Sequence, residues 1–140
     1  MRIDKEQYYL NIAKAVSLRA TCLRRNYGAV IVKDDEIIAT GYTGAPRGAD
    51  NCNELGVCDR IKLNIPSGER YEICKSVHAE MNAIISASRK DMIGSTLYLY
   101  GFDGVSKKPI NAKPCSICER LIKNAGIEKV VCSTEDSVNL

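Results

Sequence analysis

The chain has 140 residues, of which 45% are hydrophobic and 26% are charged, and it carries a net charge of +3. This length suits one compact domain over residues 1–140 with its own core. The mild positive charge is spread along the sequence, which argues against a dedicated nucleic-acid binder but allows a small anionic substrate. No stretch approaches the roughly 20 apolar residues of a membrane helix. The charged N-terminus lacks the apolar segment of a signal peptide, so we expect a cytoplasmic protein.

Hydrophobic periodicity predicts three helices and four strands. In chain order they are a helix over 4–20, strands over 28–33 and 36–41, a helix over 77–89, a strand over 96–100, a helix over 115–124 and a strand over 128–132. Asp4 suits an N-cap, and Gly126 suits the left-handed residue that follows a helix. We expect Tyr98 and Tyr100 to alternate across their strand, one in the core and one towards the site. The order of elements predicts an α/β domain with helices on the faces of a sheet.

A long segment between the second strand and the second helix has no clean period. Residues 42–70 are rich in Gly, Pro, Asn and Asp, and they predict an ordered loop with at most a short helix around 55–63. A loop of this length in a compact domain is usually functional or anchored by something.

Two short motifs carry the chemistry. His78-Ala79-Glu80 and Pro114-Cys115-Ser116-Ile117-Cys118 each open a predicted helix. Cys115 and Cys118 are three residues apart, so their thiols face the same side of a first helical turn. Helix N-termini favour thiolates, and His78 is the only histidine in the chain. Three protein ligands leave the fourth position of a tetrahedral zinc ion open, as catalytic sites require.

Glu80 is the predicted acid–base group. Two thiolates neutralise the charge of zinc, so a separate proton carrier is useful beside the metal. We expect Glu80 to take a proton from water, deliver it to the ring nitrogen of a base, and then protonate the leaving amine. A Cys-x-x-Cys motif alone would also fit a redox pair or half of a structural zinc site. His-x-Glu followed by Pro-Cys-x-x-Cys is, however, the signature of zinc-dependent nucleobase deaminases.

The sequence resembles the cytidine/deoxycytidylate deaminase family from about Tyr8 to Cys132. The likeness includes residues 28–32, 41–46, 65–71 and 78–84 and the motif around Cys115. It implies the three-layer cytidine deaminase fold, with a mixed sheet of four or five strands flanked by helices. It also implies hydrolysis of dCMP to dUMP and ammonia, a homo-oligomer, and control by dCTP and dTTP. Relatives usually continue into another helix and strand after the position of Cys132. The resemblance therefore allows either four or five strands in the sheet.

Substrate contacts follow partly from the resemblance. The family usually has asparagine where this chain has Thr43, whose single hydroxyl is a weaker partner for the sugar. Arg89 matches an arginine that relatives use near the active site, and Arg24 and Arg47 are further candidates for a phosphate. The resemblance also implies base contacts from the backbone. These would come from the N–H of Ala79 and the carbonyl of Lys113.

Four further cysteines predict a second metal site. Some relatives hold a structural zinc with cysteines that match Cys22 and Cys52, and Cys58 and Cys74 complete a candidate four-thiolate set that would anchor the loop. The alternative is four buried, reduced cysteines that act as small hydrophobes. Cys132 is predicted to be a core residue.

Three other functions compete with dCMP deamination. One is a deaminase for another cytosine or adenine base, as a nucleoside or nucleotide. Another acts on a polynucleotide, which favours stacking aromatics that a chain with no Trp and one Phe scarcely offers. The last is a zinc-stabilised binding module without turnover, which would have no need for Glu80.

Overall fold

The computed structural model describes residues 2–66 and 69–136, and within them six α-helices, one short 3₁₀ helix (Tyr71–Ile73) and four strands build the domain. The helices are α1 (Lys5–Ser17), α2 (Cys52–Leu55), α3 (Asp59–Lys62), α4 (Ala79–Ile85), α5 (Arg89–Met92) and α6 (Ser116–Ala125). The strands are β1 (Arg25–Lys33), β2 (Glu36–Tyr42), β3 (Thr96–Asp103) and β4 (Lys129–Cys132). None of the described helices is long and apolar enough to cross a membrane.

The four strands form one mixed sheet in the order β2-β1-β3-β4. β1 is antiparallel to both β2 and β3, whereas β3 and β4 are parallel. A parallel pair needs a crossover, and α6 lies in the connection from β3 to β4. The predicted α/β class and mixed sheet are confirmed, with four strands in the described residues.

The sheet separates two hydrophobic cores, which makes three layers. Ala29 and Ile31 of β1 belong to the core that includes residues of α4 and α6. Val30 and Val32, on the opposite face, belong to the core that includes residues of α1. Side chains alternate along a strand, so one buried run in β1 supplies both layers.

The predicted helix ends are confirmed at both capping positions. The Asp4 side chain accepts a hydrogen bond of 2.7 Å from the backbone N–H of Gln7 at the start of α1. Gly126 follows α6 with a φ of 86°, a left-handed conformation that glycine adopts at little cost. Cys132 is partly buried against the core that contains Ala29, as predicted.

Three predicted boundaries were wrong. The helix over 77–89 is two helices, because Ser88 caps a new one with its side chain on the Asp91 N–H. The first helix ends at Ser17 rather than at residue 20. The loop contains the two short helices α2 and α3 instead of one around 55–63.

The prediction for Tyr98 and Tyr100 was also wrong. The two residues are two positions apart, and such residues share one face of a strand. Both pack in the core on the α1 side, away from α4 and α6. Neither residue lines the cavity described below.

Two glycines allow helices to pack directly on the backbone of the hairpin. A Cβ on Gly41 of β2 would lie 2.3 Å from the backbone nitrogen of Ala83 in α4. A Cβ on Gly28 of β1 would lie 2.2 Å from the carbonyl oxygen of Ala13 in α1. Distances this short exclude a side chain, so α4 lies closer to the sheet than any other residue would permit.

Candidate active site

The two chemical motifs meet where α4 and α6 begin. His78 is the N-cap of α4, and Cys115 is the N-cap of α6 with its sulfur accepting from the backbone N–H of Cys118 at 3.4 Å. α4 and α6 also contact each other, and their N-termini bring three distant residues into one cluster. Cys115 and Cys118 lie 37 and 40 positions after His78 in the chain. The predicted convergence of the two helix starts is therefore present.

The three ligand atoms have the spacing of a zinc site. The Nδ1 atom of His78 lies 3.5 Å from the Cys115 sulfur and 3.4 Å from the Cys118 sulfur. With Zn–N near 2.05 Å and Zn–S near 2.3 Å, tetrahedral angles separate nitrogen from sulfur by about 3.6 Å. Among the described residues, this is the only group of three or more such ligands whose atoms lie within 4.8 Å of one another. Zinc therefore fits these side chains with little movement.

Protons hold the three ligands together when no metal is bound. The hydrogen bond from Cys118, supported by His78, lowers the pKa of the Cys115 thiol to about 3. The same hydrogen bond, together with burial, raises the pKa of Cys118. Contact with Cys115 raises the pKa of His78. A metal ion must displace the protons on His78 and Cys118, so its affinity depends on pH.

Glu80 lies beside this cluster and is 4% exposed. Its side chain hydrogen-bonds with Cys118. Burial raises the pKa of the Glu80 carboxyl, while the charge of His78 and the Cys118 hydrogen bond act in the opposite direction. A carboxyl group with a raised pKa can accept and return a proton near neutral pH, as a general acid–base group must.

A cavity of about 260 Å³ opens beside His78, Cys115 and Glu80. Thr43, Arg24 and Lys113, which are predicted to contact substrate, line it, and the buried Thr43 hydroxyl accepts from the Tyr27 N–H at 3.3 Å. Sequence reasoning missed five further lining residues: Arg25, Tyr27, Arg60, Tyr71 and Ser76. Three of them come from the region between Tyr42 and His78, where the lack of periodicity left no signal for which side chains turn inward.

Three predicted contacts do not line the cavity. Ala79 is fully buried at the start of α4. Arg89 was predicted to end the histidine helix, but it begins α5 and donates to the Asn124 carbonyl at 3.1 Å. Arg47 is exposed in the loop. Contact of these residues with substrate stays a prediction.

The four cysteines predicted to hold a second metal ion, Cys22, Cys52, Cys58 and Cys74, lie in one neighbourhood. Cys52 and Cys58 are buried, and Cys22, Cys58 and Cys74 line the cavity. Burial is the main cause that raises the pKa of Cys52, and the charges of the other three add to it. Within the described residues, however, these sulfurs do not come within 4.8 Å of one another as a set of three. A metal ion here would require them to draw together.

Known proteins are similar to this chain over nearly its whole length. Residues 3–134 match the family described as "Cytidine and deoxycytidylate deaminase zinc-binding region". The chain belongs to the cytidine and deoxycytidylate deaminase family. The predicted family and enzyme class, a hydrolase that removes an amino group, are confirmed.

Individual deaminases of this family are similar over most of the chain. A deoxycytidylate deaminase of Mycobacterium phage D29 is 39% identical over 135 residues, which cover 93% of this chain and 94% of that protein. A deoxycytidylate deaminase of Schizosaccharomyces pombe is 36% identical over 92% of this chain, and the match spans only 37% of the yeast protein. The fission yeast relative is therefore much longer than the shared domain.

Solved structures of the family have the same fold. The apo dCMP deaminase of cyanophage S-TIM5 has a TM-score of 0.67 and 26% identity, covering 99% of this chain and 90% of that one. The same enzyme in complex with dCMP and dUMP has a TM-score of 0.64 and 26% identity, covering 94% and 82% of the two chains. The predicted cytidine deaminase fold is confirmed.

Proposed function

We propose that this protein hydrolyses dCMP to dUMP and ammonia with one catalytic zinc ion. The observation that carries the proposal is the cluster of His78, Cys115 and Cys118 beside the buried carboxyl of Glu80 at one end of a cavity. The phage D29 relative is named a deoxycytidylate deaminase, and the S-TIM5 enzyme has been solved with dCMP and dUMP. Both support a cytosine nucleotide as the substrate.

Zinc held by the three ligands would supply a Lewis acid and an acidified water for attack on the ring carbon that carries the amino group. Glu80 takes one proton from the attacking water and passes it to the adjacent ring nitrogen. It then takes the proton of the newly added hydroxyl and passes it to the amino group, so that the C–N bond breaks, ammonia leaves and the ring carbonyl forms. Burial supports this role, because it raises the pKa of the carboxyl group towards neutral pH.

An ammonia-release assay tests the proposal. The zinc-loaded protein is incubated with dCMP, CMP, dCTP, deoxycytidine, dAMP and adenosine. We expect turnover of dCMP and a loss of roughly 10²–10⁴-fold in the Glu80→Gln variant. That variant keeps its shape and all three metal ligands, so zinc content serves as its control.

Two results would contradict this function. Release of ammonia from adenine compounds alone would assign the chain to a different deaminase. Unchanged activity of Glu80→Gln would remove the proposed proton carrier. The predicted oligomer and its control by dCTP and dTTP stay predictions.

We also propose a structural zinc ion held by Cys22, Cys52, Cys58 and Cys74. Hydrogen bonds already join the segments that carry them: Asn53 N–H donates to the Thr21 carbonyl at 3.1 Å, and the Cys52 sulfur lies 3.8 Å from the Ser76 hydroxyl. An ion pair of 3.4 Å between Lys75 and Asp59 joins the segment that carries Cys74 to the segment that carries Cys58. Four thiolates would lock a loop that has few apolar contacts of its own.

Zinc stoichiometry tests this second ion. We expect two zinc ions per chain in the wild-type protein and one in Cys58→Ser. Cys132→Ser is the matched control, since Cys132 packs against the core and belongs to neither site, and it should keep both ions. A wild-type protein that binds one zinc ion per chain would contradict the proposal.

A further inference from the structure

Among the residues that the structure describes, Arg60 is a buried cation without a carboxylate partner. The residue is 6% exposed, and none of the ion pairs among the described residues includes it. One terminal nitrogen donates to the Pro66 carbonyl at 3.0 Å, but the Nε atom has no hydrogen-bond partner within the part of the chain that the structure describes. An arginine in such surroundings usually has its charge matched by an acceptor.

The unpaired guanidinium faces the active-site cavity. Arg60 is one of the residues that line it. Its central carbon lies 4.6 Å from the centroid of the Tyr71 ring, which in turn lies 5.3 Å edge-on from the His78 ring. The guanidinium is therefore no more than roughly 10 Å from the imidazole at the metal cluster. This is about the span of one nucleotide from its base to its phosphate.

The lining of the cavity is strongly cationic. Arg24, Arg25, Arg60 and Lys113 contribute four positive side chains, against the single carboxylate of Glu80. Arg25 and Lys113 are exposed and Arg24 is half-buried, so water can solvate these three charges. Arg60 alone is buried, and the stacked Tyr71 ring offsets only part of its desolvation. An anionic ligand would supply the missing partner.

We propose that Arg60 binds the 5′-phosphate of the substrate and makes this enzyme select a nucleotide over a nucleoside. The inference rests on the proposed function, which places the base at the metal cluster. A terminal N–H of the guanidinium can donate to one phosphate oxygen, and a small movement of the side chain would bring the unpaired, buried Nε–H to a second oxygen, a paired geometry that lysine does not offer. The Tyr71 ring packs against the guanidinium on one side and the His78 ring on the other, which helps to fix the position of Arg60 relative to the metal cluster.

Binding measurements on an inactive background test the proposal without turnover. The zinc-loaded Glu80→Gln protein is titrated with dCMP and with deoxycytidine by calorimetry, and the titrations are repeated after adding Arg60→Met. We expect affinity for dCMP to fall roughly 10- to 100-fold, and affinity for deoxycytidine to change less than about threefold. Inorganic phosphate should compete with dCMP in the background protein but not after Arg60→Met.

Lys62→Met is the matched control. Lys62 lies in the same short helix, loses the same charge and is exposed outside the cavity, so its substitution should leave both affinities unchanged. Equal losses of dCMP and deoxycytidine affinity after Arg60→Met would overturn the proposal. They would show that Arg60 only supports the position of Tyr71. Unchanged dCMP affinity would overturn it as well.

Arg60→Lys keeps the test valid if Arg60→Met does not fold. This variant retains the charge but not the planar fork, so dCMP affinity alone should fall about tenfold. A parallel loss for deoxycytidine would again contradict phosphate binding. If the background protein binds neither cytosine ligand, the proposed function fails. Titration with inorganic phosphate then tests the role of Arg60 separately. Loss of phosphate binding after Arg60→Met supports the proposal, and unchanged phosphate binding overturns it.

Discussion

Replacement of Gly41 by alanine should move the helix that carries the catalytic groups. The new Cβ would lie 2.3 Å from the Ala83 nitrogen and 2.5 Å from the Ala79 oxygen, both in the backbone of α4. Ordinary contacts of this kind begin near 3.4 Å, so α4 must shift away from β2 by roughly 1 Å. Overpacking of this size costs about 1–3 kcal/mol of stability.

The shift should reduce turnover more than binding. His78 caps α4 and Glu80 lies in its first turn, so both move relative to the cysteines of α6. A misplacement near 1 Å can cost about 100-fold in rate. Ammonia release from dCMP measures the activity, and urea unfolding measures the stability.

Gly44→Ala is the control for this substitution. Its Cβ would have no neighbour closer than 3.6 Å, which is an ordinary contact. We expect near-normal activity and stability for this variant. Normal values of both quantities for Gly41→Ala would refute the reasoning, because they would mean that α4 does not need its close approach to the sheet.

Three further changes have predictable outcomes. Zinc affinity, measured by chelator competition, should fall as pH is lowered towards and below the raised pKa of His78, because the imidazole must lose its proton to bind the metal. A zinc affinity that does not change with pH would contradict this prediction. Tyr9→Phe should lower the urea midpoint at neutral pH, because hydrogen bonds from Lys5 and from Tyr9 lower the pKa of Asp35 and this variant removes the second of them. That contribution is present above the unfolded pKa of about 3.9 and disappears as pH falls through the lowered folded value, so the two midpoints should converge in acid. Leu99→Ala should cost about 2–5 kcal/mol in urea unfolding, since Leu99 is fully buried, whereas exposed Val105→Ala should cost almost nothing.

The catalytic set could be predicted from the sequence because its chemistry restricts residue types at fixed spacings. One histidine, two cysteines three apart and a nearby glutamate leave few alternatives, and helix N-termini position them. The layers were predictable for a similar reason. Apolar runs in β1 and β3 are long enough to be buried on both faces.

The rest depended on tertiary contacts that leave no local pattern. Arg60 lies in a short helix inside an aperiodic loop, and its position at the cavity is supported by tertiary contacts with Tyr71 and the Pro66 carbonyl. Arg89 lies outside the cavity because the chain after Ile85 stops being helical and restarts at Ser88. A continuous apolar period over 77–89 concealed that break.

Anomalous diffraction from a crystal of the zinc-loaded protein tests the central claim most directly. We predict a zinc peak about 2.0 Å from His78 Nδ1 and about 2.3 Å from the sulfurs of Cys115 and Cys118, with no fourth protein ligand. Glu80 should lie beside the peak without contacting the metal. A zinc ion bound by four side chains at this position, or the absence of zinc between these three residues, would contradict the account.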